Sequence, residues 1–162
     1  MRWRVAILTA SDRGARGEKE STSALVIREL VEEELGGEIV DDRVVPDETD
    51  EVMAALIEMS DYYRSDLILT TGGAGLRVRD ITPDATRQII DREVPGFGER
   101  IRSARAASGA AAAVFRGIAG LRGGTLIVNL PGSPKGVSVA MLAIMSDLAT
   151  ALKNIRGGEE LS

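Results

Sequence analysis

The chain has 162 residues, a length that suits one α/β domain with a complete core and is short for two. Apolar residues make up 44% and charged residues 28%, as in an ordinary soluble globule, and no unbroken apolar run is read as long enough to span a bilayer. A net charge of -5 argues against a general nucleic-acid binder, and the absence of cysteine and histidine excludes thiol nucleophiles, imidazole bases, disulfides and structural zinc.

Carboxylates, hydroxyls, amides, lysine and arginine remain for chemistry. Any metal must be held by oxygen, and such a set suits Mg2+-assisted phosphate reactions. Only Lys19, Lys135 and Lys153 are lysines, so arginine carries most of the positive charge. Met1-Arg2-Trp3-Arg4 leads straight into a strand pattern without a signal peptide, so the expectation is a cytoplasmic protein with neither membrane nor nucleic acid as partner.

Arg4 to Thr9 reads as a first strand running into Ser11-Asp12-Arg13-Gly14, where a loop with no room for a helix is expected. Ser21 or Thr22 then caps a helix carrying Val26, Ile27, Leu30 and Val31, and Gly36-Gly37 stops it. Glu38 to Val45 is a second strand ending at Pro46-Asp47-Glu48-Thr49. Val52, Ala55, Leu56, Met59 and Tyr63 then line one face of a helix from Asp50.

The stretch from Asp66 to Asp84 organises the rest. Leu67 to Leu69 fits a strand covered on both faces, and Gly72-Gly73-Ala74-Gly75 lets backbone amides approach an anion without a Cβ in the way. Arg77 and Arg79 add charge beside that turn, and Asp80 adds a carboxylate suited to a cation between acid and phosphate. Thr82 is expected to cap a helix with Pro83 in its first turn.

Pro95-Gly96 breaks that pattern, and a helix is expected from about Phe97 through the Ser103 to Ala113 region. Gly117 to Leu121 and Thr125 to Asn129 read as strands joined by a turn at Arg122-Gly123-Gly124. Ser133-Pro134 starts a last helix with Met141, Ile144, Met145, Leu148, Leu152 and Ile155 on one face, before Gly157-Gly158 and an acidic tail.

Strands alternating with helices predict a three-layer α/β/α sandwich with a mostly parallel sheet and one antiparallel strand near Gly117 to Leu121. In such sheets ligands bind at the carboxyl ends of the strands, which gathers Ser11-Asp12, Pro46-Asp47, Thr70 to Asp80 and Asn129 to Lys135 at one edge. Neither a P-loop nor a dinucleotide fingerprint fits: Gly72 to Arg79 lacks the lysine and hydroxyl of the first, and Gly73 to Val78 lacks the third glycine of the second. Taken singly, Asp47 and Asp80 read most simply as capping residues, Arg122 as a turn residue, and Trp3, Tyr62 and Phe97 as packing groups.

Thr70-Thr71-Gly72-Gly73-Ala74-Gly75, Arg79-Asp80-Ile81-Thr82-Pro83-Asp84-Ala85, Pro95-Gly96 and Asn129-Leu130-Pro131-Gly132-Ser133-Pro134-Lys135 together resemble the Mog/MoaB-type molybdenum-cofactor biosynthesis proteins. Ser11-Asp12-Arg13 and Pro46-Asp47-Glu48 fall in matching order, and the resemblance covers nearly all of a single domain spanning residues 1 to 162. It implies transfer of AMP from Mg-ATP to the terminal phosphate of molybdopterin with release of pyrophosphate, in a homo-oligomer, trimeric or hexameric. Hand-off of the product to a molybdate-insertion enzyme would follow.

Carried over by motif, Asp47 and Asp80 match the two acids of catalysis and metal binding. Thr71, Gly72, Gly73 and Gly75 match the nucleotide-binding loop, and Ser11, Asp12, Ser133 and Lys135 match positions contacting molybdopterin or its phosphate. The chain departs from the pattern in three places. Ala74 replaces a usual threonine, Glu20-Ser21-Thr22-Ser23 replaces Asp-x-Ser-Gly, and Gly109-Ala110 with Val114-Phe115 replaces a Thr-Pro and a Leu-Ser pair. Those departures keep open a member that binds pterin or nucleotide with weak or no catalysis. A competence-damage-type domain that hydrolyses a nucleotide pyrophosphate shares the fold-level pattern and normally carries an extra domain.

Overall fold

A computed structural model describes residues 2–157; Gly158 and the acidic tail lie outside the described residues. Six strands form one sheet in the order β2-β1-β3-β6-β5-β4. In chain order they are β1 (Trp3–Ala10), β2 (Gly37–Val45), β3 (Leu67–Thr71), β4 (Arg92–Glu93), β5 (Ala119–Arg122) and β6 (Thr125–Leu130). β2, β1, β3 and β6 are mutually parallel, and β5 pairs antiparallel with both β6 and β4. The three-layer sandwich and its antiparallel strand are as the sequence predicts. The two-residue edge strand β4 is an addition.

The central strands alternate between two apolar cores, which explains why they read as continuous apolar runs. Val5, Ile7, Leu67, Leu69, Leu126 and Val128 face the layer formed by α2 (Thr22–Leu30), α5 (Pro95–Ala107) and α6 (Pro134–Ile155). Ala6, Leu8, Ile68 and Ile127 face α3 (Thr49–Ile57) and α4 (Thr82–Ile89). Gly36 takes a left-handed conformation, φ 76°, and ends the wider helical turn Val31–Leu35 that continues α2.

Several local expectations are corrected. Between β1 and α2 the chain makes one helical turn, α1 (Asp12–Ala15), because the Ser11 hydroxyl accepts from Gly14 N and caps it. Pro95 begins α5 rather than breaking the chain, since a proline in the first turn gives up no helical hydrogen bond; α5 ends at Ala107, short of Ala113. α6 is long and apolar enough, by length and composition, to cross a membrane, against the expectation of no such run. In this fold it packs on the sheet, with Met141, Ile144, Leu148 and Leu152 buried. Tyr62 is 75% exposed and is not a packing group. Arg122 is more than a turn residue, because its guanidinium bonds Asp61 and the Ile89 carbonyl and ties α4 to the sheet.

Strand register positions the site. Ala10 pairs with Val45, Thr9 with Thr71, and Thr71 with Leu130, so four parallel strands end level. The segments that follow them, at Ser11, Pro46-Asp47, Gly72 and Pro131, therefore emerge along one edge of the sheet.

Candidate active site

Gly72 and Gly73 follow β3 with φ of 92° and 70°, a left-handed conformation that favours glycine. A Cβ on Gly72 would run into the Ala10 carbonyl, and one on Gly75 would come within 2.8 Å of Asp80 Oδ2. The loop is closed from both sides. Thr82 N donates to Gly73 O at 3.0 Å, and Arg77 N donates to Asp80 Oδ2 at 2.9 Å. Arg116 fastens it from outside: its backbone N donates to Ala74 O, Nε to Gly75 O, and Nη2 to Asp80 O and Asp84. Asp80 thus closes a turn, as its place before Thr82-Pro83 suggests, and that turn places it on the cleft.

Asp12 and Asp47, from the ends of β1 and β2, clasp one another. Asp12 N donates to Asp47 Oδ2 at 3.0 Å and Asp47 N donates to Asp12 Oδ1 at 2.9 Å. The Asp12 carboxylate also accepts from the Arg79 guanidinium at 2.7 and 3.0 Å, and Arg79 bonds Glu48 at 3.0 Å. Those Arg79 bonds, then the Asp47 amide, hold the Asp12 carboxyl at about 2, well below its ordinary value. Arg79 is therefore paired with acids in this structure.

Asp47 has the opposite surroundings. Burial raises its carboxyl above the usual range, the Asp12 and Asp80 charges push the same way, and the Asp12 amide opposes them. Its Oδ1 is buried without a hydrogen-bond partner, and so is Thr82 Oγ1. Both oxygens crowd the same side of Gly73: a Cβ there would clash with Thr82 Oγ1 and lie 3.2 Å from Asp47 Oδ1. Each unsatisfied group costs about 1–3 kcal/mol unless something absent from the chain partners it. Thr82 is not the helix cap that its place before proline predicts. Ile81 holds that position without a side-chain bond, and Thr82 lies buried in the first turn.

Two clefts flank the glycine turn. The larger, ≈ 590 Å³, is walled by Gly73 to Arg77, Asp80, Arg105, Val114 and Phe115. The smaller, ≈ 350 Å³, is lined by the hydroxyl residues Ser11, Ser21, Thr22 and Ser133, with Thr71 and Gly72 at its base. Gly132 belongs to both and separates them together with Gly72, since a Cβ on Gly132 would lie 3.5 Å from Gly72 Cα. Thr71 donates to Pro131 O at 2.7 Å and Ser23 to Gly132 O at 2.8 Å, which fixes this wall.

The structure thus brings Gly73, Gly75 and Asp80 to one cleft and Ser11, Thr71, Gly72 and Ser133 to the other. The Thr71 hydroxyl braces the wall, and Asp12 is engaged with Arg79. Lys135 lines a third hollow of ≈ 170 Å³ with Arg105 of the larger cleft and Ser133 of the smaller, the Ser133 hydroxyl caps α6 by accepting from Gly136 N, and Asp47 lines neither of the two clefts. Sequence reasoning missed Thr82, Arg105 and Arg116. The only signal for the two arginines was their spacing before β5, which does not say what they face.

Oxygen donors and glycine-walled clefts at the ends of parallel strands define an α/β protein whose candidate site lies along the carboxyl edge of its sheet. Residues 6–151 match the model of the family described as "Probable molybdopterin binding domain". A molybdopterin adenylyltransferase of Helicobacter pylori is 37% identical over 94% of this chain and 88% of its own length. A crystal structure of the molybdopterin biosynthesis enzyme MoaB from Thermus thermophilus superposes with a TM-score of 0.90 at 46% identity, over 96% of this chain and 97% of that one. The tungsten cofactor synthesizing protein MoaB of Pyrococcus furiosus gives 0.83 at 35% identity, over 96% and 98%. The chain belongs to this molybdopterin-binding family, of the Mog/MoaB type.

Proposed function

We propose that this chain is a molybdopterin adenylyltransferase acting in molybdenum-cofactor biosynthesis. Molybdopterin adenylyltransferase is the name of the relative matched over most of both chains. The geometric observation carrying the proposal is the pair of clefts that share a wall of glycines, with Asp47 and Asp80 beside it. Joining two phosphates means bringing two anions together, so positioning and charge neutralisation are the main tasks and no nucleophilic side chain is needed.

In this proposal ATP lies in the larger cleft, with its phosphates along Gly72 to Gly75, and molybdopterin places its phosphate in the hydroxyl-lined cleft of Ser11 and Ser133. Lys135 and Arg105 add positive charge behind that wall. A phosphate oxygen of the pterin attacks the α-phosphorus, the bond from the α-phosphorus to its bridging oxygen breaks, and pyrophosphate departs. The attacking oxygen is already ionised at neutral pH, so no histidine or cysteine base is required.

Mg2+ fits the residues present. Asp47 Oδ1 is an unpartnered buried oxygen that approaches Gly73, and the Asp80 charge lies close enough to raise the Asp47 carboxyl. Such an ion is commonly held by one or two carboxylates together with substrate phosphates. Asp47 and Asp80 would hold it, and when bound it would neutralise charge developing on the phosphates. A trimeric assembly and a cytoplasmic location complete the proposal.

Purified chain mixed with Mg-ATP and molybdopterin should release pyrophosphate, and Asp80→Asn should abolish most of it. Tight pterin or nucleotide binding by calorimetry without pyrophosphate release would instead make the chain a silent binder.

A further inference from the structure

We propose that Arg105 is the ligand of the leaving pyrophosphate, holding the β- and γ-phosphates of the nucleotide in the larger cleft. This rests on the adenylyltransferase reading above and gives the departing group a partner. Arg105 is half-buried near the end of α5, and its guanidinium lies 5.6 Å from the centre of the Phe115 ring. Its Nη1 rests against the first turn of α6, where a Cβ on Gly136 would come within 2.7 Å of it. Packing alone sets its place. Among the described residues the side chain has no hydrogen bond or ion pair, and Nε is buried without an acceptor.

Other arginines around the site are neutralised: Arg79 and Arg116 each meet a carboxylate within 3.0 Å. Nothing beside Arg105 does the same. It lines the larger cleft, where among the described lining residues Asp80 alone is acidic and already accepts from Arg77 N. It also lines the ≈ 170 Å³ hollow, whose described lining residues include no acid and bring Lys135 as a second cation. A partly desolvated guanidinium with a like charge near it and no counter-ion is unfavourable until an anion arrives. Its planar fork matches two oxygens of a phosphate.

The reaction selects which phosphate. Attack and departure at phosphorus are roughly in line, so the leaving oxygen points away from the attacking one. With the pterin phosphate in the cleft of Ser11 and Ser133, pyrophosphate extends on the far side of the Gly72 and Gly132 wall, into the larger cleft. Arg105 lines that cleft and not the smaller one. The other cation there, Arg77, is exposed and therefore more strongly screened by water. As the bond from the α-phosphorus breaks, the bridging oxygen keeps the electron pair and negative charge grows on pyrophosphate. The Arg105 guanidinium stabilises that charge without giving up a proton.

Calorimetry on the full chain in Mg2+, with inorganic pyrophosphate, AMP and molybdopterin as separate probes, tests this alongside kinetics. Arg105→Met keeps a flexible apolar stem on Phe115 and removes the charge. It should weaken pyrophosphate binding by about tenfold or more, the scale of a lost charge-assisted hydrogen bond, and leave AMP and molybdopterin within about twofold of wild type. Unchanged AMP binding also shows that the variant is folded. Turnover with Mg-ATP should fall by about tenfold, and Arg105→Lys, which keeps the charge, should recover part of both losses. Unchanged pyrophosphate binding in the methionine variant would overturn the proposal, as would a wild-type chain that binds no pyrophosphate. So would an equal loss for AMP, which would assign Arg105 to the shape of the cleft or to the α-phosphate, or a loss for molybdopterin alone, which would make it a pterin-phosphate ligand. If the wild type releases no pyrophosphate from Mg-ATP and molybdopterin while pyrophosphate binding still depends on Arg105, the adenylyltransferase reading fails and the pyrophosphate contact stands.

Discussion

The two acids that clasp each other at the ends of β1 and β2 differ in almost every physical respect. Asp12 accepts from a guanidinium and a backbone amide, and its carboxyl is held low at about 2. Asp47 is partly desolvated, carries one buried oxygen with no partner, and its carboxyl is raised. Satisfied groups hold structure, whereas unsatisfied buried groups beside a cleft point to something still to arrive. On this basis Asp12, Arg79 and Glu48 are paired with one another and Asp47 keeps an open oxygen, while Asp80 accepts from Arg77 N and lines the larger cleft. The motif that gave Asp12 a contact with molybdopterin places it next to the site, where its visible task is to hold the Asp47 backbone.

The largest effects should come from the two acids proposed for the reaction, Asp80 and Asp47. Asp80→Asn is expected to lower the rate of pyrophosphate release by roughly a hundredfold or more, as for loss of one preorganised electrostatic group. Asp47→Asn should lose a similar factor while making the fold more stable. A carboxyl whose folded value is raised contributes favourably at low pH, and that contribution is lost as pH rises through the folded value. At neutral pH the charged Asp47 is therefore a burden. The asparagine variant should melt about 1–3 °C higher at pH 7, with the gain disappearing in acid, and thermal scans across pH check it. A variant that melts lower at pH 7 would break the contrast between the two acids.

Arg116→Ala comes next. It removes the clasp on Ala74, Gly75, Asp80 and Asp84 except for the backbone bond, so stability should fall by about 1–2 kcal/mol in denaturant titration. Turnover should drop less than for either acid, because the loop loosens without losing a group that touches substrate.

Much of this was legible beforehand, for identifiable reasons. Strands buried on both faces, such as Leu67 to Leu69, announce themselves as short apolar runs, and glycine pairs at their ends mark left-handed turns. The exposed Arg92–Glu93 strand has no such pattern, because two residues pair only at the sheet edge. Pro95 was ambiguous because proline both breaks helices and begins them. Thr82 was misread because threonine before proline commonly caps, whereas its amide is taken by Gly73 O and its side chain is turned inward. The glycine loop and the two acids could be found from position along the chain. The partners of Arg79, Arg105 and Arg116 lie 67, 10 and 32 residues away for Asp12, Phe115 and Asp84, and no local pattern encodes such contacts.

On the satisfied side the effects should be smaller and confined to acid. Arg79→Ala deprives Asp12 of the bonds that hold its carboxyl low. A lowered value stabilises the fold above the ordinary carboxyl value of 3.8, and that contribution fades as pH falls toward about 2. The melting curves of wild type and variant should therefore differ modestly at pH 7, where the pair is exposed and screened, and converge as pH drops from 4 toward 2. A gap that stays constant through that range would mean that Arg79 acts through packing.

The smallest effect tests the larger cleft itself. Ala74 is 6% exposed, lines the cleft, and shares an apolar cluster with Phe115, whose ring lies under the Arg105 guanidinium at 5.6 Å. The wall here is apolar and backed by a cation. Ala74→Thr adds a hydroxyl and a methyl at the cleft wall, so the rate of pyrophosphate release should change by no more than about threefold, the scale of a single neutral hydrogen bond. A gain would show that the wall is a weakened version of a polar site. A loss, with KM for ATP raised, would show that the apolar surface of Ala74 and Phe115 is what the bound ring packs against.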